Sequence, residues 1–416
     1  MLFRSITSAE TAILTYYSTD DDTQIFIIKQ GQKPELFTCK GQGFDGLQLW
    51  LQKTWSINDP NWRSQMPRIL AEVSQRLQLS DLVTQHLKDI EELIILPHLY
   101  LHQIPFAALP LTADAKGEVL GDKFVIRSIP SCQILKYCVD RHPITEHTYG
   151  TVEDADGSLF GARYEGEQIA HINQIHADNR LRGQTQATRA NYRQLLTRVT
   201  SLHSSHHAAS RLDNPLESAL KLADGSITLG DLLLGQRYPN LDEVFLSACE
   251  THVGKTTLTD DVTTLNTAFL CIGARSVQST LWSVDDLVTA LFDIFYHQFR
   301  QDGMNRAVAL QQAQIRLRNL SGDEFKLDHY PKLSAYFSQQ IVPYITQLEQ
   351  QISDLNTKKL TVTGEEQTKI RGEIDELERR CDRANSIWQT FENYCEKSRP
   401  FRDPYYWAAF ITQGMA

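Results

Sequence analysis

The sequence lacks the features that mark several large classes of protein. Its seven cysteines are scattered over 416 residues and include no Cys-x-x-Cys pair, which argues against a disulfide framework or a structural zinc site and favours the reducing cytoplasm. No apolar run approaches the roughly 20 residues of a membrane span, and no long apolar segment near the N-terminus indicates a signal peptide. The formal net charge of −10, without any stripe of lysine and arginine, argues against sequence-independent binding of nucleic acid. We therefore expect a globular cytoplasmic protein that contacts neither membranes nor nucleic acid.

Glycine and proline are almost absent from residues 331–397, a polar and highly charged stretch. Apolar residues recur there at the spacing of a helical seam, first from Ile345 to Leu355 and again from Ile370 to Trp388. The polar residues 358–367 between the two seams allow the chain to turn. The pattern predicts two amphipathic helices, either as an antiparallel hairpin inserted into the chain or as two helices packed separately on its body.

The rest of the chain alternates between short apolar strands and amphipathic helices. The first 40 residues indicate a β-meander, and residues 92–96 and 124–129 are strands that end at prolines. A second unit begins near Tyr149, and its strands near 200–206, 244–248 and 276–281 alternate with helices near 228–235, 262–271 and 286–300. This alternation predicts an α/β fold with a mainly parallel sheet and helices on both faces.

One thiol lies where a catalytic residue is expected. Residues 244–246 indicate a short buried strand, and Cys249 follows at its carboxyl end, where open α/β sheets place their ligand crevices. His206 follows another apolar run upstream. A thiol with an ordinary pKa near 8.5 attacks as the thiolate and needs an imidazole within reach, so this pair suits a cysteine-nucleophile hydrolase. The alternative that the residues alone leave open is a buried structural cysteine.

Several segments together resemble a known family, in the order in which that family has them. They are residues 93–109 (LIILPHLYLHQIPFAAL), 214–222 (NPLESALKL), 245–251 (FLSACET), 268–286 (AFLCIGARSVQSTLWSVDD) and 404–414 (PYYWAAFITQG). They resemble the CHAT domain family, caspase-like proteases often found beside TPR repeats in bacteria. The resemblance covers nearly the whole chain except the predicted helical pair. No TPR-like period of roughly 34 residues is visible, so a TPR-type partner, where one exists, lies outside this sequence.

The resemblance implies a caspase-like αβα sandwich with a mainly parallel sheet. Residues 1–148 are then a degenerate N-terminal half and residues 149–330 the catalytic half, while residues 331–397 insert a helical hairpin before a C-terminal segment, 398–416, that completes the catalytic half. The family hydrolyses peptide bonds through an acyl-enzyme. This implies Cys249 as nucleophile and His206 as base, without metal or cofactor. It also implies a protein substrate and regulation by a partner protein.

Two further histidines flank the predicted base. His203 shares a strand face with Ser205, opposite His206, so we expect it to be a packed histidine. In the family, glycine follows the catalytic histidine and its backbone N–H contributes to the oxyanion hole. This chain has His207 there, and we expect the His207 backbone N–H to take that role. The side chain that glycine lacks leaves open the alternative of an inactive or gated enzyme.

Asp285 and Asp286 follow Trp282 in a segment similar to one that lies, in separases, near the pocket for a basic residue before the cut. Two carboxylates there suit a lysine or arginine of the substrate. The alternative is a pair that caps the helix after them. The predicted function is thus a cysteine endopeptidase that cuts after a basic residue. The alternative from another class is a catalytically weak or inactive caspase-like scaffold that binds a partner through the helical hairpin.

Overall fold

The chain contains an eleven-stranded sheet and a separate three-stranded sheet within residues 8–112, 117–211, 214–247 and 264–416, which a computed structural model describes. In chain order the strands are β1 (Thr11–Ser18), β2 (Thr23–Lys29), β3 (Glu35–Cys39), β4 (Glu92–Leu96), β5 (Val125–Ser128), β6 (Tyr149–Glu153), β7 (Arg180–Arg182), β8 (Ser201–Ser205), β9 (Ala208–Ala209), β10 (Ala219–Leu222), β11 (Gly225–Thr228), β12 (Glu243–Ser247), β13 (Ser276–Thr280) and β14 (Phe410–Gly414). The order across the large sheet is β3-β2-β1-β4-β5-β14-β13-β12-β8-β6-β7.

Helices connect most of these strands. They are α1 (Leu49–Thr54), α2 (Trp62–Arg76), α3 (Leu79–His86), α4 (Leu120–Lys123), α5 (Cys132–Asp140), α6 (Phe160–Ile172), α7 (Gly183–Gln186), α8 (Arg189–Arg198), α9 (Leu229–Leu234), α10 (Leu265–Ile272), α11 (Asp286–Gln301), α12 (Arg306–Asn319), α13 (Gly322–Glu324), α14 (Tyr330–Tyr336), α15 (Val342–Lys359), α16 (Glu365–Cys395) and α17 (Pro404–Trp407).

The predicted β-meander is confirmed, because β1, β2 and β3 pair antiparallel in succession. β1 then pairs parallel with β4, which in turn pairs parallel with β5. The predicted strand at residues 92–96 matches β4 residue for residue, and four of its five residues are buried. These strands form one half of the large sheet.

The other half contains the strand ends where the cysteine and the histidines were predicted. β12 pairs parallel with β8 on one side and with β13 on the other, and β6 continues the parallel order beyond β8. The predicted strands near 200–206, 244–248 and 276–281 are therefore confirmed, and so is the mainly parallel sheet. The helices near 228–235, 262–271 and 286–300 are confirmed as α9, α10 and α11.

β14 joins the two halves of the sheet. It pairs antiparallel with β13 along its whole length and parallel with β5 at one residue pair, Gln413 with Ser128. The C-terminal segment thus places a strand in the middle of the sheet, and the sequence alone did not decide between a helix and a strand there. Arg127, on β5, donates a hydrogen bond to the Gly414 carbonyl at 2.7 Å and strengthens this junction.

Helices cover both faces of the catalytic half. On one face α5, α8, α9 and α10 pack against alternate strand residues such as Leu202 and Val244 in a continuous apolar core. On the other face α6 and α11 lie together, and Phe245 of β12 packs on Tyr296 of α11 with ring centroids 5.0 Å apart. The two faces therefore receive alternate residues of each strand, as the period of a β-strand requires.

The chain divides into two compact units. The first comprises Met1–Leu317 and Pro404–Ala416, and the second comprises Arg318–Asp403. Within the second unit α15 and α16 pack against each other, and Ile345, Leu348, Ile370 and Ile374 are buried. Gly364 has a φ of 69° at the start of α16, a left-handed conformation that favours glycine and lets the chain reverse. No helix within the described residues is both long enough and apolar enough to span a bilayer.

Candidate active site

The carboxyl ends of three neighbouring strands lie level at one edge of the large sheet. Glu153 of β6 stands opposite Ser205 of β8, and Ser205 stands opposite Ser247 of β12. The three strands therefore end side by side. This is the edge at which open α/β sheets bind ligands.

Cys249, the predicted nucleophile, lies outside the described residues, which end on this side of the chain at Ser247. β12, which leads to it, is buried from Glu243 to Ser247 and pairs in register with β8. β12 thus ends at Ser247 beside Ser205, the last residue of the strand that His206 follows.

His206 is buried against one face of the sheet, and both of its ring nitrogens have partners. Nε2 lies 2.8 Å from the Ser204 hydroxyl, and Nδ1 lies 3.0 Å from the carbonyl oxygen of His207. The Tyr192 hydroxyl lies 3.2 Å from the same Ser204 oxygen. A carbonyl only accepts, so Nδ1 carries the proton and Nε2 accepts from Ser204. Burial lowers the pKa of His206 to about 4, despite the opposing hydrogen bond to the His207 carbonyl.

His207 has a different environment, because nearly a third of its side chain, 31%, is exposed. Its Nε2 lies 3.0 Å from the Ser158 oxygen and 3.8 Å from Asp156 Oδ2. The Ser158 hydroxyl donates to Asp156 Oδ1 at 2.7 Å, so its oxygen is left to accept from Nε2–H of His207. This arrangement fixes the tautomer and leaves the Nδ1 lone pair for another proton, as in sites where a third group orients a catalytic histidine.

The loop that holds His207 is itself fixed by a buried carboxylate. Asp154, directly after β6, accepts from the Leu159 N–H at 2.8 Å and from Arg163 Nε at 2.5 Å. Its φ of 47° is unusual for a residue with a side chain. Burial raises the pKa of Asp154 although Arg163 opposes this. Strained backbone held by buried contacts is common at functional sites.

The two predicted substrate carboxylates have different positions. Asp285 precedes α11, and its Oδ1 accepts from the Leu287 N–H at 3.0 Å, so it caps the helix. Desolvation by the surrounding residues raises its pKa, against the two backbone hydrogen bonds that it accepts, although part of the side chain is exposed. Asp286 is half-buried and lines a pocket that also includes His206, Ser205 and Ser247. The structure therefore brings Asp286 to the histidine edge and gives Asp285 the capping role that the sequence left as its alternative.

Sequence reasoning missed the acidic residues near this edge. Glu165 of α6 lines the same pocket as Asp286, and it contacts His203 on the face opposite His206. The predicted packing of His203, on the other face from His206, is thereby confirmed. Asp156 and Ser158 also went unnoticed, although the polar run after residue 153 was a signal that a strand ends there.

The chain is similar to known proteins in sequence and in fold. The profile of the CHAT domain matches residues 68–415. No curated protein matches the sequence. The separase of the Saccharomyces cerevisiae separase–securin complex is similar in fold, with a TM-score of 0.52 and 10% identity over 75% of this chain and 29% of that chain. The Arg specific cysteine proteinase gingipain R matches with a TM-score of 0.40 and 10% identity over 64% of each chain. The chain thus spans less than a third of the separase chain, and it has the caspase-like fold that the resemblance implied.

Proposed function

Because the chain belongs to the CHAT domain family, we propose that it is a cysteine endopeptidase that works in the cytoplasm. The observation that carries the proposal is the family match over residues 68–415, which includes both the Cys249 segment and the paired histidines. Cys249 attacks the carbonyl carbon of a peptide bond as thiolate, and the amine leaves with a proton from the histidine. Water then attacks the thioester and releases the acyl product. Cell fractionation tests the compartment, and recovery of the chain with membranes would contradict it.

For the base, the chain offers His206, which the resemblance implies, and the adjacent His207. The contacts of the two rings support His207. Both nitrogens of His206 are used within the fold, and its lowered pKa of about 4 makes it a weak proton acceptor at neutral pH. His207 is partly exposed and is oriented through Ser158 by a carboxylate. We therefore propose His207 as the base and His206 as the residue that holds the His207 carbonyl.

A reactive thiol is the first expected property. Burial raises the thiol pKa of each of the six described cysteines, to about 12 for Cys39 and to about 11 for Cys138. These thiols should react slowly with iodoacetamide at pH 7, because the thiolate is the reactive form. We expect Cys249 to be alkylated at least about 10-fold faster than the other six, as read by mass spectrometry of peptides. Unfolding in urea provides the control, since all seven should then react at similar rates.

Two outcomes of that labelling separate the enzyme from the scaffold. The separase structure is of a complex with securin, and we propose that this chain too is regulated by a partner protein. Rapid labelling only after addition of lysate from the source cells would support a regulated enzyme. A Cys249 that stays as slow as the other cysteines in both conditions would instead favour the non-catalytic scaffold that binds through α15 and α16.

We also propose that the peptidase cuts after arginine or lysine, with Asp286 as the acidic partner. Asp286 supports this because it lines the pocket beside His206, and a carboxylate with a guanidinium forms a strong charge-assisted pair. We expect a fluorogenic peptide with arginine before the cut to react at least about 10-fold faster than its leucine analogue, with the preference lost in Asp286→Asn.

Asp285→Asn is the matched control for that substitution. It changes the adjacent carboxylate, whose partner is the backbone of α11, so it should keep the arginine preference. Asparagine is itself a good N-cap, so the helix should also remain intact. Equal rates with arginine and leucine peptides in the wild type would exclude the basic pocket, while cleavage of both would leave the peptidase assignment standing.

A further inference from the structure

A buried group of ionisable side chains lies behind the histidine edge. Glu165 of α6, His203 of β8 and Asp293 of α11 are each at most 2% exposed. One ligand atom from each of them lies within 4.8 Å of the others. Glu165 Oε1 contacts His203 Nε2 directly, and Asp293 Oδ2 lies 3.8 Å from the same nitrogen. We call this group the Glu165–His203–Asp293 cluster.

The cluster contains a buried carboxyl group whose hydrogen bonding is incomplete. Neither oxygen of Asp293 makes a hydrogen bond of ordinary geometry to a described residue, although the side chain is fully buried. Its polar neighbours are Glu165 and the Ser247 hydroxyl at the end of β12, which likewise makes no hydrogen bond of ordinary geometry within the described chain. An ionised carboxylate is costly to bury unless it is paired or coordinates a cation. The incomplete hydrogen bonding of Asp293 therefore points to a cation as the missing partner of its carboxylate.

The second nitrogen of His203 is held by another histidine. His203 Nδ1 lies 3.2 Å from His297 Nε2, and His297 Nδ1 lies 3.1 Å from the Asn173 side-chain nitrogen. In metal sites the non-ligating nitrogen of a histidine usually donates its N–H to a carboxylate, a carbonyl or water. A metal on His203 Nε2 therefore requires His203 to carry its proton on Nδ1 and to donate it to His297 Nε2. The chain from Asn173 through His297 leaves Nε2 of His203 directed at the two carboxylates.

We propose that the Glu165–His203–Asp293 cluster binds a divalent transition-metal ion of the zinc or manganese class. One imidazole and two carboxylates are ligands that such ions accept. Bonds of about 2.1 Å place neighbouring ligand atoms roughly 3 to 4 Å apart. Glu165 therefore has to move slightly away from His203 Nε2, while Asp293 Oδ2, at 3.8 Å from that nitrogen, already lies at a suitable distance. The ion takes the place of the hydrogen shared between Glu165 and His203, and its charge neutralises the two carboxylates.

The position of the cluster gives the ion a consequence for the proposed active site. It joins α6, which carries Glu165, and α11, which begins at Asp286, to β8, which the paired histidines follow. Glu165 and Ser247 also line the pocket at that edge. A bound ion therefore holds Glu165, which lines the pocket, in a fixed position. The cluster is distinct from the predicted dyad, and metal binding does not depend on peptidase activity.

Metal content of the full-length chain tests this proposal. Cys249→Ala serves as the background, because a thiolate close to a histidine would itself bind Zn²⁺. After incubation with Zn²⁺ and desalting, we expect about one zinc ion per chain by elemental analysis, and a raised thermal midpoint. Mn²⁺ is used in a parallel sample.

Variants on this background assign the site. Asp293→Asn is nearly isosteric and should abolish retention of the metal, as should His203→Gln. His297→Gln should weaken the affinity by roughly 10- to 100-fold, as expected for a residue that orients a ligand. His176→Gln is the control, because the His176–Asp178 pair is exposed and lies outside the cluster. Its metal content should equal that of the background.

Three results would overturn the assignment. One is a chain that retains neither Zn²⁺ nor Mn²⁺. Another is metal retained in equal amount by Asp293→Asn, which would place it elsewhere. The third is an unfolding midpoint that is higher in Asp293→Asn than in the background and unaffected by metal, because that behaviour fits two carboxyl groups sharing one proton.

Discussion

Replacing His207 with alanine is expected to lower kcat/KM for a cleaved peptide by roughly 10² to 10⁴-fold, the usual contribution of a general acid–base group. Removal of the ring leaves no group to take the Cys249 proton and return it to the leaving amine. The substitution changes a side chain that is 31% exposed, so the fold should survive it. Kinetics with one fluorogenic peptide measure the effect, and circular dichroism checks the fold.

His206→Asn is the matched variant at the neighbouring position. Asparagine can still donate a hydrogen bond to the His207 carbonyl, so we expect kcat/KM to fall by less than about 10-fold. The reverse ranking, with His206→Asn inactive and His207→Ala active, would restore His206 as the base.

The acidic limb of the pH–rate profile gives an independent distinction between the two histidines. A base with the pKa of about 4 that burial gives His206 would keep kcat/KM constant from neutral pH down to about that value. Loss of activity that sets in well above pH 4 would therefore argue for a base other than His206. The profile of Ser158→Ala should show the same limb with a lower plateau, because Ser158 positions the His207 ring and takes no proton from the substrate.

Much of the fold could be predicted because its strands are short apolar runs with clear ends. The positions of β8 and β12 follow from such runs, and Pro97 and Pro130 mark where β4 and β5 stop. α12 was missed because its buried face includes Arg306 and Gln314 together with small residues, which give little apolar signal. β14 was ambiguous because its pairing partners lie far away in the sequence, and only the sheet decides its conformation.

The site could be predicted in part, and the remainder depends on packing. Strand alternation correctly placed His203 and His206 on opposite faces, but it does not tell which side of an edge is open to solvent. Tyr192 of α8 lies edge-on to the His206 ring, with centroids 6.1 Å apart, and contributes to the burial of His206. Glu165 and Asp293 look like solvent-facing charges on amphipathic helices. They are buried only because α6 packs against α11 over β8. The domain boundaries and the role of Cys249 remain predictions.

Arg306→Met is expected to lower the free energy of unfolding by roughly 3 kcal/mol or more, the usual cost of leaving a buried charge without its partner. Arg306 is 6% exposed and contacts both Asp242, through Nη2, and Glu243, through Nε at 3.1 Å. Arg275 and Arg300 lie farther off, at 3.3 Å from Asp242 and 3.5 Å from Glu243, and compensate only in part. Urea denaturation at pH 7 measures the loss. Lys136→Met, which breaks an exposed pair on α5, should cost no more than about 0.5 kcal/mol.

The pH dependence of that loss separates charge from packing. Burial alone would raise the pKa of Glu243, but Arg306 and Arg300 outweigh burial and hold it at about 2. An unfolded glutamate has a pKa near 4.3, so the carboxylate contributes stability above about pH 4.3, and this contribution is lost as the pH falls to about 2. In Arg306→Met the Glu243 carboxylate keeps only the more distant Arg300 as a cationic partner, so its protonation becomes more favourable. The difference between wild type and variant should therefore be largest at neutral pH and shrink below about pH 4. A difference that stays constant over that range would mean that Arg306 stabilises the protein by packing rather than by its charge.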